Sequence, residues 1–210
     1  MNRKLNGCTK LLGNIIIISA PSGAGKTSIC KAVISESKNV TFLISYTTRP
    51  QRSGERNGRE YFFVDETKFR KMIKEKEFAE WEKVHGNYYG TSKVVLERVL
   101  KTGKNILLEI DVRGGISIKR LYPSACMIFI MTPNLKTLKS RLISRNKDCR
   151  KIIETRFNNA KKELKFIKKY EYLVINKNLN DAIEAIKIII KSLEYKIQNK
   201  NTLIRRYIEK

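Results

Sequence analysis

The chain has 210 residues, 41% of them hydrophobic and 30% charged, which suits one domain with a buried core and excludes wholesale disorder. Lys and Arg number 44 against 20 acidic residues, a net charge of +24; this invites a polyanionic partner, although a general drift toward Ile, Lys and Asn makes a protein equally basic. Cys8, Cys30, Cys126 and Cys149 show no C-x-x-C spacing and His85 stands alone, which argues against a zinc site or a disulfide framework and for free thiols in a reducing compartment.

The amino terminus is basic over residues 1–10 and mostly apolar over 11–20, superficially like a secretory leader. Gly13 and Asn14 interrupt that run, and it leads straight into Pro21, Ser22, Gly23, Ala24, Gly25, Lys26 and Thr27. No apolar run approaches the roughly 18–20 residues needed to span a bilayer, so no membrane association and a cytoplasmic location are expected.

Residues 15–19 form a short β-branched run bounded by turn residues, the pattern of a strand buried on both faces. Residues 27–37 follow with helical spacing, and 40–45 are a second apolar run. The stretch 47–59 is polar and rich in Gly and Arg, a loop. Residues 61–64 read as a strand, and Asp65 can cap a helix carrying Phe69, Met72 and Ile73. Residues 85–91 read as an aromatic and glycine loop. Ser92 can cap the next helix, which Gly103 ends. Three more buried strands are predicted at 105–110, 126–131 and 172–175, with helices at 134–145, 151–168 and 181–195 and a charged tail beyond. Strands alternating with helices imply a parallel five-stranded sheet covered on both faces, with ligands beyond the carboxyl ends of the strands.

Three motifs bear on chemistry. Gly25, Lys26 and Thr27 complete a phosphate-binding loop of the G-x-x-x-x-G-K-[ST] kind, with Ala20 replacing the first glycine. Gly23 and Gly25 let backbone N–H groups face an anion at a helix N-terminus, Lys26 can bridge β- and γ-phosphates, and the Thr27 hydroxyl can bind Mg²⁺. Next, Arg49 and Arg52 lie in a Gly-bearing loop that leads to Tyr61, which suits a second phosphate held by guanidinium forks; a solvated basic loop explains it as well. Last come Phe78, Ala79, Glu80 and Trp81, then Gly86, Asn87, Tyr88, Tyr89, Gly90 and Thr91.

These three motifs, in this order, resemble the guanylate kinases, which phosphorylate GMP with ATP, and the resemblance runs from about residue 15 to about 195. It implies a three-layer P-loop NTPase core (about 1–44, 100–131 and 159–210), an inserted GMP-binding subdomain (about 45–99) and a lid (about 132–158), all within one domain. It further implies that Ala20 through Thr27 hold the ATP phosphates, with Pro21, Ser22, Gly23, Ala24, Gly25 and Lys26 between them and Asn176 near adenine. Arg49, Arg52, Tyr61 and Tyr89 would hold the GMP phosphate, with Ser45 and Glu55 nearby. Glu80 would accept from guanine N1–H and the 2-amino group, and Thr91 would reach O6. Lys26, Arg141, Arg145 and Arg156 would be catalytic, closing on the ATP phosphates; Asp111 would lie beside acceptor and metal, with Mg²⁺ on Thr27 and Asp111.

Two features depart from the family pattern. Glu109-Ile110-Asp111 replaces a common Asp-Ile-Asp, which favours Asp111 over Glu109 as the functional acid. The lid, often acidic, here carries Lys147 and Arg150 beside Arg145. Bringing both arginine sets to one point requires segments 45–99 and 132–158 to swing inward. The resemblance implies GMP and dGMP as acceptors and no specific nucleic-acid partner. A peptide-binding scaffold module is disfavoured by intact Lys26, Thr27 and Arg141, and a nucleic-acid-stimulated triphosphatase has only the net charge to suggest it.

Overall fold

The structure is a computed structural model that describes residues 13–84, 86–145, 150–196 and 208. Five strands build the central sheet: β1 (Ile15–Ser19), β2 (Val40–Phe42), then, further along the chain, Asn105–Glu109, Cys126–Met131 and Tyr172–Ile175. Between β2 and the third of these lie four shorter or more twisted strands, β3 (Tyr46–Thr47), β4 (Phe62–Phe63), β5 (Phe78–Val84) and β6 (Asn87–Ser92), so the three just named are β7, β8 and β9. The central order is β2-β7-β1-β8-β9, and every neighbouring pair is parallel.

The alternation of side chains along a strand divides the isoleucine run of β1 between two cores. Ile16 and Ile18 pack toward α1 (Lys26–Glu36) and α7 (Leu179–Ser192), among them Ile29, Val33 and Ile186. Ile15 and Ile17 pack on the opposite face with Leu96 and Leu100 of α3 (Lys93–Lys101) and Ile118 of α4 (Val112–Leu121). Ile16, Ile17, Ile18, Leu107 and Ile128 are fully buried, so each contributes about 1.5–3 kcal/mol of burial free energy. This three-layer arrangement is the P-loop NTPase fold with the expected five-stranded parallel sheet.

The second sheet has the order β4-β3-β6-β5 and its own small aromatic core. Phe69 of α2 (Glu66–Lys74) stacks on Phe78 and on Tyr88, with ring centroids 4.5 and 5.4 Å apart. Asp65 caps α2 by accepting from the Lys68 amide, as its sequence position predicts.

Several elements differ from what the sequence predicts, among them residues 78–84, which the pattern assigns to no element and which form strand β5. Residues 87–92 form strand β6 rather than a loop, because they pair antiparallel with β5, Trp81 opposite Gly90 and Glu82 opposite Tyr89. Gly90 reads locally as a loop residue, yet it is needed inside the strand: a Cβ there would stand 2.9 Å from the Phe78 ring. Helix α4 has no clear signature in the sequence, because Gly114 and Gly115 weaken helix propensity. The Asp111 carboxylate restores it by accepting from the Arg113 and Gly114 amides at 2.7 and 2.9 Å. Helices α5 (Leu135–Arg145) and α6 (Arg150–Leu164) follow β8, and two 3₁₀ turns, Ile167–Lys169 and Leu193–Tyr195, flank β9 and α7. Among the described residues no helix is long and apolar enough to cross a membrane.

Candidate active site

The site lies beyond the carboxyl ends of β1 and β7. Residues 20–27 leave β1 and enter α1 with Gly23 and Gly25 at φ values of 89° and 92°. Left-handed backbone of this kind favours glycine and turns successive amides toward one point. Space also demands glycine at 25: a Cβ would lie 2.4 Å from Asn176 Nδ2. That Asn176 amide is buried and donates to the Ala24 carbonyl at 2.8 Å, so in this structure it braces the loop from behind. The Asn176 backbone carbonyl accepts from Arg141 Nη2 at 3.1 Å, which ties α5 to the same residue.

Lys26 Nζ donates to the Ile110 carbonyl at 3.0 Å, at the end of β7. The Thr27 hydroxyl donates to Glu109 Oε1 at 2.5 Å. The acid beside Thr27 is therefore Glu109, whereas the resemblance favours Asp111. Asp111 lies one residue past Ile110, and its Oδ1 is engaged in capping α4. The strand-end position of Glu109 was visible in the sequence; its contact with Thr27 was not, because it depends on β1 and β7 being neighbours. Among the described residues no group of three or more His, Cys, Asp or Glu is gathered as a metal cluster.

A second cationic set lies on the loop between β3 and β4. Arg49 Nη2 forks onto Glu55 Oε1 and Oε2 at 2.7 and 2.9 Å, and Glu55 Oε2 also accepts from the Arg52 amide. The Arg49 hydrogen bonds hold the Glu55 carboxyl below its usual range. The Arg49 guanidinium lies 5.4 Å from the Tyr61 ring centre, and Tyr61 and Tyr89 meet edge to face at 5.8 Å. Burial, assisted by the charge of Glu109, pushes the Tyr61 phenol up to about 12, so it remains a hydrogen-bond donor at neutral pH. Arg52 is exposed on the same loop, and Ser45 lies just before β3.

Glu80 is 7% exposed, an unusual place for a carboxylate. The hairpin register sets it opposite Thr91, whose hydroxyl donates to Glu80 Oε1 at 2.5 Å. On its other side Gly114 leaves room: a Cβ there would stand 2.8 Å from Glu80 Oε2. Burial raises the Glu80 carboxyl to about 7; the charges of Asp111 and Glu82 add to that, and the Thr91 hydrogen bonds oppose it. A cavity of about 190 Å³ is lined by Lys26, Glu109 and Asp111 from the central sheet side and by Ser45, Tyr61, Glu80 and Tyr89 from the segment between β2 and α3.

The structure thus gathers Lys26, Ser45, Tyr61, Glu80, Tyr89 and Asp111 around one cavity, with Thr91 bonded to Glu80 behind it and Thr27 bonded to Glu109, which also lines it. Arg49, Arg52, Glu55 and Tyr61 line an adjoining cavity of about 560 Å³ that also reaches Thr27 and Glu109. Arg141 faces Asn176, and Arg156 is half-buried on α6. His85, Cys8, residues 146–149 with Cys149 among them, and the side chain of Arg145 lie outside what the structure describes.

A family model described as guanylate kinase matches residues 12–193. A guanylate kinase of Syntrophomonas wolfei is 43% identical over 201 residues, covering 96% of this chain and 99% of that relative. One from Thermotoga maritima is 39% identical over 195 residues, with 93% and 94% covered. The crystal structure of a guanylate kinase from Anaplasma phagocytophilum superposes with a TM-score of 0.76 at 27% identity, over 90% of each chain.

Proposed function

The chain belongs to the guanylate kinase family and is an ATP:GMP phosphotransferase; on that footing we propose how its residues divide the work. The loop from Ala20 to Thr27 cradles the ATP triphosphate, Lys26 neutralises charge on the transferred group, and Arg141, Arg145 and Arg156 close over it. Asn176 supports the loop beside the adenine. Arg49, Arg52, Tyr61 and Tyr89 hold the GMP phosphate, with Ser45 and Glu55 orienting them. Glu80 accepts from guanine N1–H and the 2-amino group, and Thr91 serves O6. The segment 45–99 acts as a GMP-binding unit and 132–158 as a lid, both moving toward the core. Cys30 and Cys126, free buried thiols, fit a reducing cytoplasm.

The observation that carries this reading is one cavity lined by both Lys26 and the buried carboxylate Glu80. A phosphate monoester has its second pKa near about 6, so the acceptor oxygen is already ionised at neutral pH and no general base is required. Rate comes from alignment and charge neutralisation. The donor set fits Mg²⁺: a hydroxyl at Thr27 with carboxylates at Glu109 and Asp111 is the sparse oxygen set with which Mg²⁺ is held jointly with phosphates. Thr27, Glu109 and Asp111 would hold it, and its charge would offset that developing on the phosphate oxygens.

Coupled assay of ADP formation with each nucleoside monophosphate tests the reading. GMP and dGMP turn over, and AMP shows a kcat/KM lower by about 10³-fold or more. Comparable rates with AMP would overturn the assignment of Glu80. A finer test uses Gly114→Ala, whose methyl would displace Glu80 Oε2. KM for GMP rises by about tenfold with KM for ATP unchanged, since a displaced acceptor loses about one hydrogen bond. Equal effects on both constants would mean general damage to α4 instead.

A further inference from the structure

Strand β1 ends in one polar residue, Ser19, after four isoleucines. It is fully buried, where an apolar side chain is the rule. On one side it pairs in register with Phe129 of β8. On the other the ladder to β7 has run out: its last register pair is Ile18 with Glu109, and the Ile110 amide then donates to the Ile18 carbonyl at 3.3 Å. Beyond that point side chains take over. The Ser19 hydroxyl donates to the Asp111 carbonyl at 3.2 Å, and Lys26 Nζ donates to the Ile110 carbonyl at 3.0 Å. Two consecutive carbonyls at the corner where β7 leads into α4 are thus held from β1 and its loop.

That corner carries part of the acceptor side. Asp111 lines the cavity and caps α4, and Gly114 in the first turn of α4 abuts Glu80. The next residue, Gly115, is seated as closely on the core: a Cβ there would stand 2.9 Å from Tyr170 Oη and 3.3 Å from Ser19 Oγ. The Tyr170 ring meets Phe129 edge to face at 5.1 Å, so the notch under α4 is packed on every side that these residues form. A hydrogen bond in such a dry place fixes position more firmly than one in water. The two moorings differ in one respect. Lys26 has a second use at the phosphates, and it must release the Ile110 carbonyl to reach them. Ser19, fully buried, has none.

We propose that Ser19 is a positioning residue that holds the corner between β7 and α4 when ATP draws Lys26 away from it. In the unliganded protein the two bonds are redundant, since either one ties β7 to β1. Once Lys26 turns to the triphosphate, the Ser19 hydroxyl keeps Asp111 and Gly114 in place against the loop and Glu80. The GMP side therefore stays formed when the phosphoryl donor arrives. This rests on residues 20–27 holding the ATP triphosphate and on Glu80 facing GMP.

Calorimetric titration of GMP into the native protein, Ser19→Ala, Lys26→Met and the double variant tests it, with and without saturating β,γ-imido ATP. Without the analogue, each single variant binds GMP within about threefold of native, and the double variant binds at least about tenfold more weakly than the single effects combined. With the analogue bound, Ser19→Ala alone loses about tenfold in GMP affinity, the loss of about one buried hydrogen bond. Additive effects in the double variant would overturn the proposal. So would a Ser19→Ala loss that is equal with and without the analogue, because a merely structural role does not depend on where Lys26 points. Should the double variant fail to fold, the Ser19→Ala comparison decides alone. If the native protein binds no analogue, the loop assignment fails; if it binds analogue and Ser19→Ala then keeps the native GMP affinity, only the role of Ser19 fails.

Discussion

Lys26→Met lowers kcat by about 10²–10³-fold and leaves the Kd of GMP within about threefold. The ammonium is preorganised: it sits at the mouth of the loop, bonded at 3.0 Å to the Ile110 carbonyl at the end of β7. To reach a phosphate it exchanges one neutral acceptor for a charged one, and the interaction strengthens as charge spreads over the transferred group. Methionine fills similar volume, so α1, whose packing rests on Ile29 and Val33, is undisturbed. GMP affinity is read by calorimetry and turnover by ADP formation, with thermal denaturation as control. A kcat within about threefold of native would remove Lys26 from the reaction.

Glu80→Gln separates specificity from stability. For the reaction, kcat/KM for GMP falls about 10²–10³-fold and that for AMP does not fall, because only guanine presents N1–H and a 2-amino donor to a carboxylate. For the unliganded fold the sign is opposite. The Glu80 carboxyl titrates near 7 when folded against 4.5 for a free glutamate, because burial disfavours its charge. A raised folded pKa gives stability that is present below the unfolded value and lost as pH rises through 7. Native protein at pH 8 therefore carries a cost of about 3 kcal/mol from this one group, and Glu80→Gln relieves up to that amount. At pH 4 the variant and native proteins are equally stable. Urea denaturation at the two pH values reads this directly.

The same titration predicts how pH governs recognition. The ionised carboxylate is the form that accepts two guanine donors, so affinity is full above about pH 7 and weakens about tenfold per unit below it. Guanosine, which lacks a phosphate, isolates this effect from ionisation of the nucleotide. Guanosine inhibition constants that stay flat from pH 5.5 to 8 would show that Glu80 does not read the base.

Much of this protein is legible along the chain. The β-branched run before Gly23 and Gly25 identifies β1 and the loop, because a both-faces-buried strand and a left-handed turn each demand particular residue types at particular spacings. The five parallel strands follow from similar runs, and the arginine pair at 49 and 52 from its loop. Three decisive contacts are not local. Glu109 reaches Thr27 across 82 positions because β7 pairs with β1. Glu80 meets Thr91 because of a hairpin register that a run of Asn, Tyr, Gly and Thr conceals. Asn176 reaches the Ala24 carbonyl across 152 positions because β1 and β9 lie on either side of β8 in one sheet. Residue type and spacing encode what a segment does with its own backbone. Which acid faces which hydroxyl is set by strand order and helix docking, and these emerge when two hydrophobic faces of the same sheet are covered at once.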